Sequence, residues 1–267
     1  MINIITGLPR SGSTLLCNIL NQNPKFWASS TSLLPRLCGG LVHAWSSSIE
    51  LKGDLQVDKQ GTEERLKRSL KSFCLSWYED FKDKVVFDKS RGWVHHALIF
   101  RSIFPESKII VTIRDLKEVF ASVEKQHLKS PFLDDSTTPN AKTIMQRAKV
   151  MFAQNGLIGA PLDGLYDMIN RRVEMFVVRY ENLVDRPKTV ISEIYDYLEE
   201  DIFEHDFENI KNTATDPDAF YLNKFPHEGS GKVIAGPIDG WKNYVPNVVT
   251  QHISKTHGFF NHFFNYK

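Results

Sequence analysis

The sequence predicts an α/β fold, a single domain over residues 1–267 in which a parallel β-sheet is flanked by helices on both faces. Three observations carry this prediction. Runs of apolar and β-branched residues alternate with segments of helical periodicity through the first two thirds of the chain. The strand runs are almost continuously apolar, as is typical of strands buried on both faces. A length of 267 residues with 42% apolar residues is enough for one large core.

The predicted elements follow one another as units of strand and helix. The strands are predicted at residues 2–6, 85–87, 108–114 and 174–180. The helices that follow them are predicted at residues 13–20, 93–104, 115–128 and 187–198. Between these units, residues 46–72 indicate a loop and then a charged helix, and residues 129–140 are rich in turn formers. Residues 212–236 mix Asp, Pro, Gly, Ser and His and are the best candidate for a lid.

Composition and charge exclude several classes of protein. The chain has 33 Lys and Arg against 32 Asp and Glu, so its net charge of +1 gives no overall attraction to nucleic acid or to an anionic membrane. No apolar run approaches the roughly 20 residues of a transmembrane helix, and no signal-peptide pattern precedes the first strand. Cys17, Cys38 and Cys74 form no CxxC pair, which favours a reducing compartment. We expect a cytoplasmic protein that binds neither nucleic acid nor membranes.

A glycine loop joins the first strand to the first helix. Residues 7–14, Gly-Leu-Pro-Arg-Ser-Gly-Ser-Thr, match the G-x-x-x-x-G frame of the P-loop, but Ser13 stands where nucleoside triphosphatases have lysine. Backbone N–H groups and the positive end of the helix dipole converge at such a junction. Arg10, inside the loop, can supply the missing positive charge. The loop therefore predicts a phosphate site and a sheet of the P-loop type.

A second anion site is predicted where the third strand ends. Arg114 closes that strand, Asp115 is a suitable N-cap, and Ser122 lies two turns along the following helix. A serine hydroxyl at that position can donate a hydrogen bond to an anion held by Arg114. A single ligand with phosphates at both ends would use both sites.

The two motifs resemble those of the sulfotransferases that use 3′-phosphoadenosine 5′-phosphosulfate (PAPS). The glycine loop resembles their 5′-phosphosulfate loop, P-R/K-S-G-T/S-T, and Arg114 with Ser122 resembles their 3′-phosphate ligands. The branch with tyrosylprotein and carbohydrate sulfotransferases is the most similar. The resemblance implies PAPS as donor, 3′-phosphoadenosine 5′-phosphate (PAP) as product and no required metal. The donor-site residues that it implies are Arg10, Ser11, Gly12, Ser13, Thr14, Leu15, Arg114, Ser122, Tyr180, Ser230 and Lys232.

Catalytic roles are implied by the same resemblance at the end of the second strand. Lys89 resembles the family's lysine that contacts the sulfuryl group and the leaving phosphate, and Asp88 resembles the base of heparan-type enzymes. Sulfuryl transfer to a hydroxyl needs a base, cations that neutralise the leaving phosphate, and in-line positioning. The resemblance therefore implies Asp88 as the base, with Lys89 and Arg10 as the stabilising cations.

Two departures from the family's patterns leave the base open. Residues 28–32 contain no acid, although tyrosylprotein sulfotransferases have their base in the matching segment. Arg91 stands where the cytosolic enzymes have histidine, two residues after the lysine. His95 and His96, on the helix that leaves the site, are the alternatives to Asp88.

Other functions fit parts of the same pattern. Residues 85–88 match the Walker B pattern of an apolar strand followed by Asp, so a Mg²⁺-dependent P-loop phosphoryl transferase is an alternative. A nucleotide-binding protein without catalysis is another. The expected acceptor is a hydroxyl of a phenol, a sugar or a tyrosine side chain, and the sequence does not distinguish these because each needs the same base and cations.

Overall fold

The computed structural model describes residues 1–129, 140–214, 218, 226–227, 229–237 and 239–266. Within these residues there are five strands, β1 (Ile2–Gly7), β2 (Phe26–Thr31), β3 (Val85–Lys89), β4 (Ile109–Ile113) and β5 (Phe176–Arg179). The same residues form twelve α-helices. In chain order these are α1 (Ser13–Leu20), α2 (Leu34–Ser47), α3 (Ile49–Val57), α4 (Lys59–Trp77), α5 (Ala97–Ile103), α6 (Leu116–Lys129), α7 (Ile144–Met151), α8 (Gly159–Asn170), α9 (Tyr180–Asp185), α10 (Pro187–Leu198), α11 (Asn247–Thr256) and α12 (Gly258–Phe263).

The five strands form one sheet in the order β2-β3-β1-β4-β5, and every pairing is parallel. In the centre of the sheet, Ile5 of β1 lies opposite Lys89 of β3 on one side and Ile110 of β4 on the other. Since all the strands run in one direction, their carboxyl ends meet at a single edge, where ligand sites of open α/β sheets form. The end of β1 lies at the centre of this edge.

Side chains alternate between two buried cores, one on each face of the sheet. Ile4 belongs to a core with Trp93 and Phe120, whereas Ile5, the next residue, packs in a second core with Leu16 and Ile191. A strand whose successive residues all find apolar partners must be covered on both faces, because its side chains point alternately to each. The predicted parallel sheet with helices on both faces is confirmed.

The sequence-based boundaries hold for the central units and are wrong at two places. β2 was not predicted, because its sequence Phe-Trp-Ala-Ser-Ser-Thr becomes polar halfway and it pairs with β3 alone at the edge of the sheet. The loop expected in residues 46–72 is instead helical. Ser48 and Asp58 cap the N termini of α3 and α4 by accepting from the N–H groups of Leu51 and Gly61.

The remaining expectations concern less regular segments. The helix predicted at 93–104 begins as a 3-10 turn over Arg91–His95 and continues as α5. Residues 130–139, most of the turn-rich segment, lie outside the described residues, as does part of segment 212–236. In the described part of the chain, no helix has both the length and the apolar character needed to cross a membrane.

Candidate active site

The glycine loop folds between β1 and α1 as the sequence predicts, and its backbone is fixed by close contacts. Gly7 has φ 128°, and a Cβ on it would lie 2.1 Å from the carbonyl oxygen of Thr112 in β4, so only glycine fits there. Ser11 Oγ donates to the carbonyl oxygen of Leu8 at 2.6 Å and lies 2.7 Å from Thr112 Oγ1. Arg10 and Gly12 also have positive φ, 58° and 84°. The loop is therefore held in one shape by its neighbours in β4.

The first turn of α1 opens towards the cavity beside this loop. The N–H of Leu16 bonds to the carbonyl of Gly12, and the N–H groups before it have no acceptor within the helix. These N–H groups and the helix dipole favour an anion at this point. The ring of Tyr180 packs against Gly12, since a Cβ on Gly12 would lie 2.6 Å from Tyr180 Cδ2.

Ten of the eleven predicted donor-site residues line one cavity of about 350 Å³ at the carboxyl edge of the sheet. They are Arg10, Gly12, Ser13, Thr14, Leu15, Arg114, Ser122, Tyr180, Ser230 and Lys232. Ser11 is the exception: it is buried and its hydroxyl is used inside the loop. The structure thus brings the glycine loop and the end of β4 to the same cavity, although they are separated by about a hundred residues of sequence.

Arg10, Arg114 and Ser122 meet on one wall of the cavity. Arg10 Nε donates to Ser122 Oγ at 3.1 Å, and Arg114 Nη1 donates to the carbonyl oxygen of Arg10 at 3.3 Å. The Arg114 guanidinium lies over the ring of Tyr180, 4.4 Å from its centroid. Its Nε is buried and has no hydrogen-bond partner among the described residues. Two guanidinium groups, a hydroxyl and an unused donor fit a phosphate-bearing ligand.

One histidine that lines this cavity, and two carboxylates that contact residues of its lining, were not predicted from the sequence. Glu118 Oε2 lies 3.3 Å from Arg114 Nη2, and Glu118 Oε1 accepts from the N–H of Trp241 at 3.0 Å. Glu118 lies in the first turn of α6 and Arg114 lies two residues before that helix, so the spacing of four residues could have indicated this pair. His227 also lines the cavity and is held by Asp218, whose Oδ1 is 2.5 Å from His227 Nδ1. No local pattern indicated that dyad, because its segment has no periodicity.

Lys89 and Asp88 are adjacent in β3 but point to opposite faces of the sheet. Lys89 lines the cavity, is 4% exposed, and its Nζ donates to Thr14 Oγ1 at 3.3 Å. Asp88 is fully buried on the other face, where its carboxylate accepts from Trp93 Nε1 at 2.5 Å and from the Tyr78 hydroxyl. Burial raises the pKa of Asp88, although hydrogen bonds from Ser32, Tyr78 and Trp93 oppose the rise.

The position of Asp88 corrects two expectations. A general base must reach the acceptor hydroxyl, and the Asp88 carboxylate does not line the cavity of the glycine loop. A Walker B aspartate must likewise face the phosphates and their Mg²⁺ ion. Neither role fits a carboxylate held by Tyr78 and Trp93 beneath the opposite face of the sheet.

A second cavity of about 650 Å³ adjoins the first and shares Thr31, Ser90, Arg91 and Leu157 with it. His95 lines this second cavity, and Gly164 of α8 leaves room for its ring, since a Cβ on Gly164 would lie 2.9 Å from His95 Nδ1. His96 lines neither cavity, and its ring packs against Gly39 of α2. Burial, and secondarily the charge of His95, lowers the pKa of His96. Of the two alternative bases, only His95 lines either of these two cavities.

Comparison with known proteins gives the same picture at the level of family and fold. A family model described as "Sulfotransferase family" matches residues 4–205. Protein-tyrosine sulfotransferase 2 of Gallus gallus is 25% identical over 199 residues, which are 73% of this chain and 50% of that protein. The chain thus spans about half the length of this curated relative.

Two solved structures resemble the chain over nearly all of its length. The sulfotransferase domain of the Synechococcus PCC 7002 olefin synthase has a TM-score of 0.56 and 18% identity, with 96% of this chain and 94% of that chain covered. A mouse sulfotransferase complexed with PAP has a TM-score of 0.54 and 12% identity, with 95% and 82% covered. At identities of 18% and 12%, these two structures are similar to the chain in fold.

Proposed function

The chain belongs to the sulfotransferase family, and on that premise we propose that it transfers the sulfuryl group of PAPS to the hydroxyl group of an acceptor, leaving PAP as the second product. The observation that supports this most is the joining of two anion sites in one cavity. The glycine loop with the N terminus of α1 is one, and Arg114 with Ser122 is the other. A nucleotide with a phosphosulfate at its 5′ end and a phosphate at its 3′ position needs both.

The donor site follows from these contacts. The N–H groups at the start of α1 and the Arg10 guanidinium would bind the 5′-phosphosulfate. Arg114, through its unpartnered Nε, and Ser122 would bind the 3′-phosphate. Tyr180, already stacked beneath Arg114, together with Ser230 and Lys232 would complete the pocket around the nucleoside.

The transfer itself needs only a few groups of the protein. PAPS supplies an activated sulfuryl group whose S–O bond to the 5′-phosphate breaks as the acceptor oxygen bonds to sulfur. Lys89 and Arg10 stabilise the negative charge that develops on the leaving phosphate. His95, at the second cavity, accepts the proton of the acceptor hydroxyl. The cavities share Thr31, Ser90 and Leu157, so an acceptor and the donor can meet there.

A phenolic hydroxyl fits the second cavity better than a sugar. Seven of its twelve lining residues are apolar or glycine, and those on the wall from α7 to α8 are Val150, Ala153, Gly156, Leu157, Ala160 and Pro161. A sugar presents hydroxyls all round and needs many polar partners, whereas a phenol needs apolar walls and one polar end. The relative from Gallus gallus is named as a protein-tyrosine sulfotransferase, and a tyrosine side chain is also a phenol.

The donor is tested by calorimetric titration of PAP and ATP, each in EDTA and again with Mg²⁺. We expect PAP to bind without metal, and Arg114→Ala to weaken this binding about tenfold to a hundredfold, since hydrogen bonds to charged groups contribute about 1.5–3 kcal/mol. Arg171→Ala, which removes an exposed arginine directly after α8, is the matched control. A preference for ATP with Mg²⁺ would favour a phosphoryl transferase, and PAP binding without turnover of any acceptor would favour a non-catalytic binding protein.

Substitutions of two adjacent histidines test which residue is the general base. We expect His95→Gln to lower kcat about a hundredfold, the lower range for loss of a general base, with little change in PAP affinity. His96→Gln, one residue along and facing α2, should leave kcat within about threefold, the scatter expected of a residue outside the site. Steady-state kinetics with a phenolic acceptor measure both. Loss of activity in His96→Gln alone would reverse the assignment.

A further inference from the structure

Helix α1 and the turn that follows it carry a stripe of amide side chains that the donor site does not use. Asn18 lies in α1, Asn21 is the residue that caps its C terminus, and Gln22 follows in the turn. Asn18 is only 1% exposed and sits between the buried residues Cys17 and Ile19. A buried amide is costly unless its hydrogen bonds are made, so its partners indicate what it does.

Asn18 contacts two stretches of the chain, residues 206–214 and residues 229–232, which are together called the late segment; the second of them reaches the cavity. Its Nδ2 donates to the carbonyl oxygen of Gly229 at 2.9 Å and to Asn212 Oδ1 at 3.2 Å. Its Oδ1 accepts from the N–H groups of Thr213 at 3.0 Å and Ala214 at 2.8 Å. The backbone N–H groups can only donate and the Gly229 carbonyl can only accept, so the amide has one possible orientation.

The neighbouring amides of the stripe hold the same segment. Asn21 Nδ2 donates to Thr213 Oγ1 at 3.1 Å. The amide of Gln22 exchanges two hydrogen bonds of 2.8 Å with the backbone of Asp206. These contacts are exposed, whereas those of Asn18 are buried or partly buried, so Asn18 carries most of the attachment.

The contact with Gly229 is close to the donor cavity. A Cβ on Gly229 would lie 2.9 Å from the backbone nitrogen of Leu15, so the segment packs directly on the first turn of α1. Ser230, the next residue, lines the cavity. Thr14, which receives the hydrogen bond from Lys89, lies one helical turn before Asn18.

We propose that Asn18 is a positioning residue for the donor site, because it ties Gly229, and with it Ser230 and Lys232, to the helix that presents the phosphate loop. The proposal rests on the proposed function, since it concerns binding of the same donor. Asn18 touches no ligand itself and acts through the backbone of Gly229. The consequence is that donor affinity depends on a side chain that does not line the cavity.

Two substitutions distinguish the roles of the donor and the acceptor of the Asn18 side-chain amide. Asn18→Asp keeps an acceptor for Thr213 and Ala214 but replaces the donor to Gly229 with an oxygen. Asn18→Leu removes both halves at similar volume. We expect each to raise the Kd for PAP about tenfold, as loss of one or two buried hydrogen bonds predicts, and to raise KM for PAPS more than it lowers kcat.

Asn23→Ala is the matched control for stability. Asn23 is also a buried asparagine, but it donates to the Tyr195 hydroxyl and does not contact the late segment. It should lower the melting temperature as the Asn18 variants do and leave the Kd for PAP unchanged. A parallel loss of PAP affinity in Asn23→Ala would mean that Asn18 has only a structural role, and the proposal would be overturned.

Hydrogen exchange measured without ligand tests the positioning role of Asn18 independently of the proposed sulfotransferase activity. We expect Asn18→Leu to lose amide protection at 213–214 and 229–231, and Asn18→Asp to lose it at 229–231 alone. If wild-type protein binds no PAP, the proposed function fails, and this exchange pattern alone decides whether Asn18 holds the segment. Unchanged exchange in both variants, or wild-type PAP affinity in both, would overturn the positioning role.

Discussion

Replacing Lys89 with methionine is expected to lower kcat about a thousandfold while the Kd for PAP changes by less than about threefold. The Lys89 ammonium is almost fully buried at the floor of the donor cavity, 3.3 Å from Thr14 Oγ1. A fixed cation in such a site stabilises charge that develops as the reaction proceeds, and removing one preorganised group of this kind costs about 10²–10³ in kcat. PAP in the ground state still has Arg10, Arg114 and the N–H groups of α1.

Methionine keeps most of the length of the lysine stem, so the buried space beneath the loop stays filled. Single-turnover rates and PAP titrations on the same preparation separate chemistry from binding. Lys25→Met, at an exposed lysine outside the cavity, controls for the loss of one charge. A variant with normal kcat and a Kd for PAP raised a hundredfold would make Lys89 a binding residue and contradict its role in the transfer.

The central units of the fold could be predicted because each one is specified locally. The helix predicted at 13–20 has the bounds of α1, and the helix predicted at 187–198 has those of α10. Gly12 precedes the first of these helices and Pro187 begins the second, and the apolar strands before them can only be buried. The edge strand β2 lacked such a signal, since three of its six residues, Ser29, Ser30 and Thr31, are polar.

The base could not be assigned from a motif of adjacent residues. In a strand, neighbouring side chains point to opposite faces, so Asp88 and Lys89 cannot both face one cavity while they belong to β3. The period of two predicts that only one of the pair reaches the site. Which one it is depends on the packing of Tyr78 and Trp93 on the far face, and these contacts follow from the tertiary fold.

The late segment shows a second limit of sequence reasoning. Asn18 and Gly229 are 211 residues apart, and neither lies in a pattern that indicates the other. The same holds for His227 and Asp218, which meet in a stretch without periodicity. Contacts of this kind depend on how long connections return to the sheet, so only the structure reveals them.

The second large effect is expected for Asp88→Ala, which should lower the stability of the protein. Asp88→Ala removes the acceptor of two buried donors, the Tyr78 hydroxyl and Trp93 Nε1. Each buried donor left without a partner costs about 1–3 kcal/mol, so we expect a loss of about 4 kcal/mol in the free energy of unfolding. Denaturant titration measures this loss, and Asp83→Ala, at an exposed aspartate, is the control.

Asp88→Asn distinguishes this structural role from catalysis. The asparagine oxygen can accept from Trp93 and its amide can donate to the Tyr78 oxygen, so the variant should fold and keep kcat/KM within about threefold. Loss of a general base would instead lower kcat about 10²–10⁴-fold. A folded Asp88→Asn protein with activity in that range would restore Asp88 as the base, in conflict with its position beneath the sheet.

The wild type and Asp88→Asn also test the environment of the Asp88 carboxyl group. Burial raises the pKa of Asp88 above its ordinary value of 3.8, so folding favours the protonated form. That contribution to stability is complete below the pKa of the unfolded chain and is lost as the pH rises through the pKa of the folded protein. Asparagine does not titrate, so lowering the pH from about 7 towards 4 should stabilise the wild type relative to Asp88→Asn. A stability difference that moves the other way would mean that the donors from Tyr78 and Trp93 outweigh burial and hold Asp88 ionised.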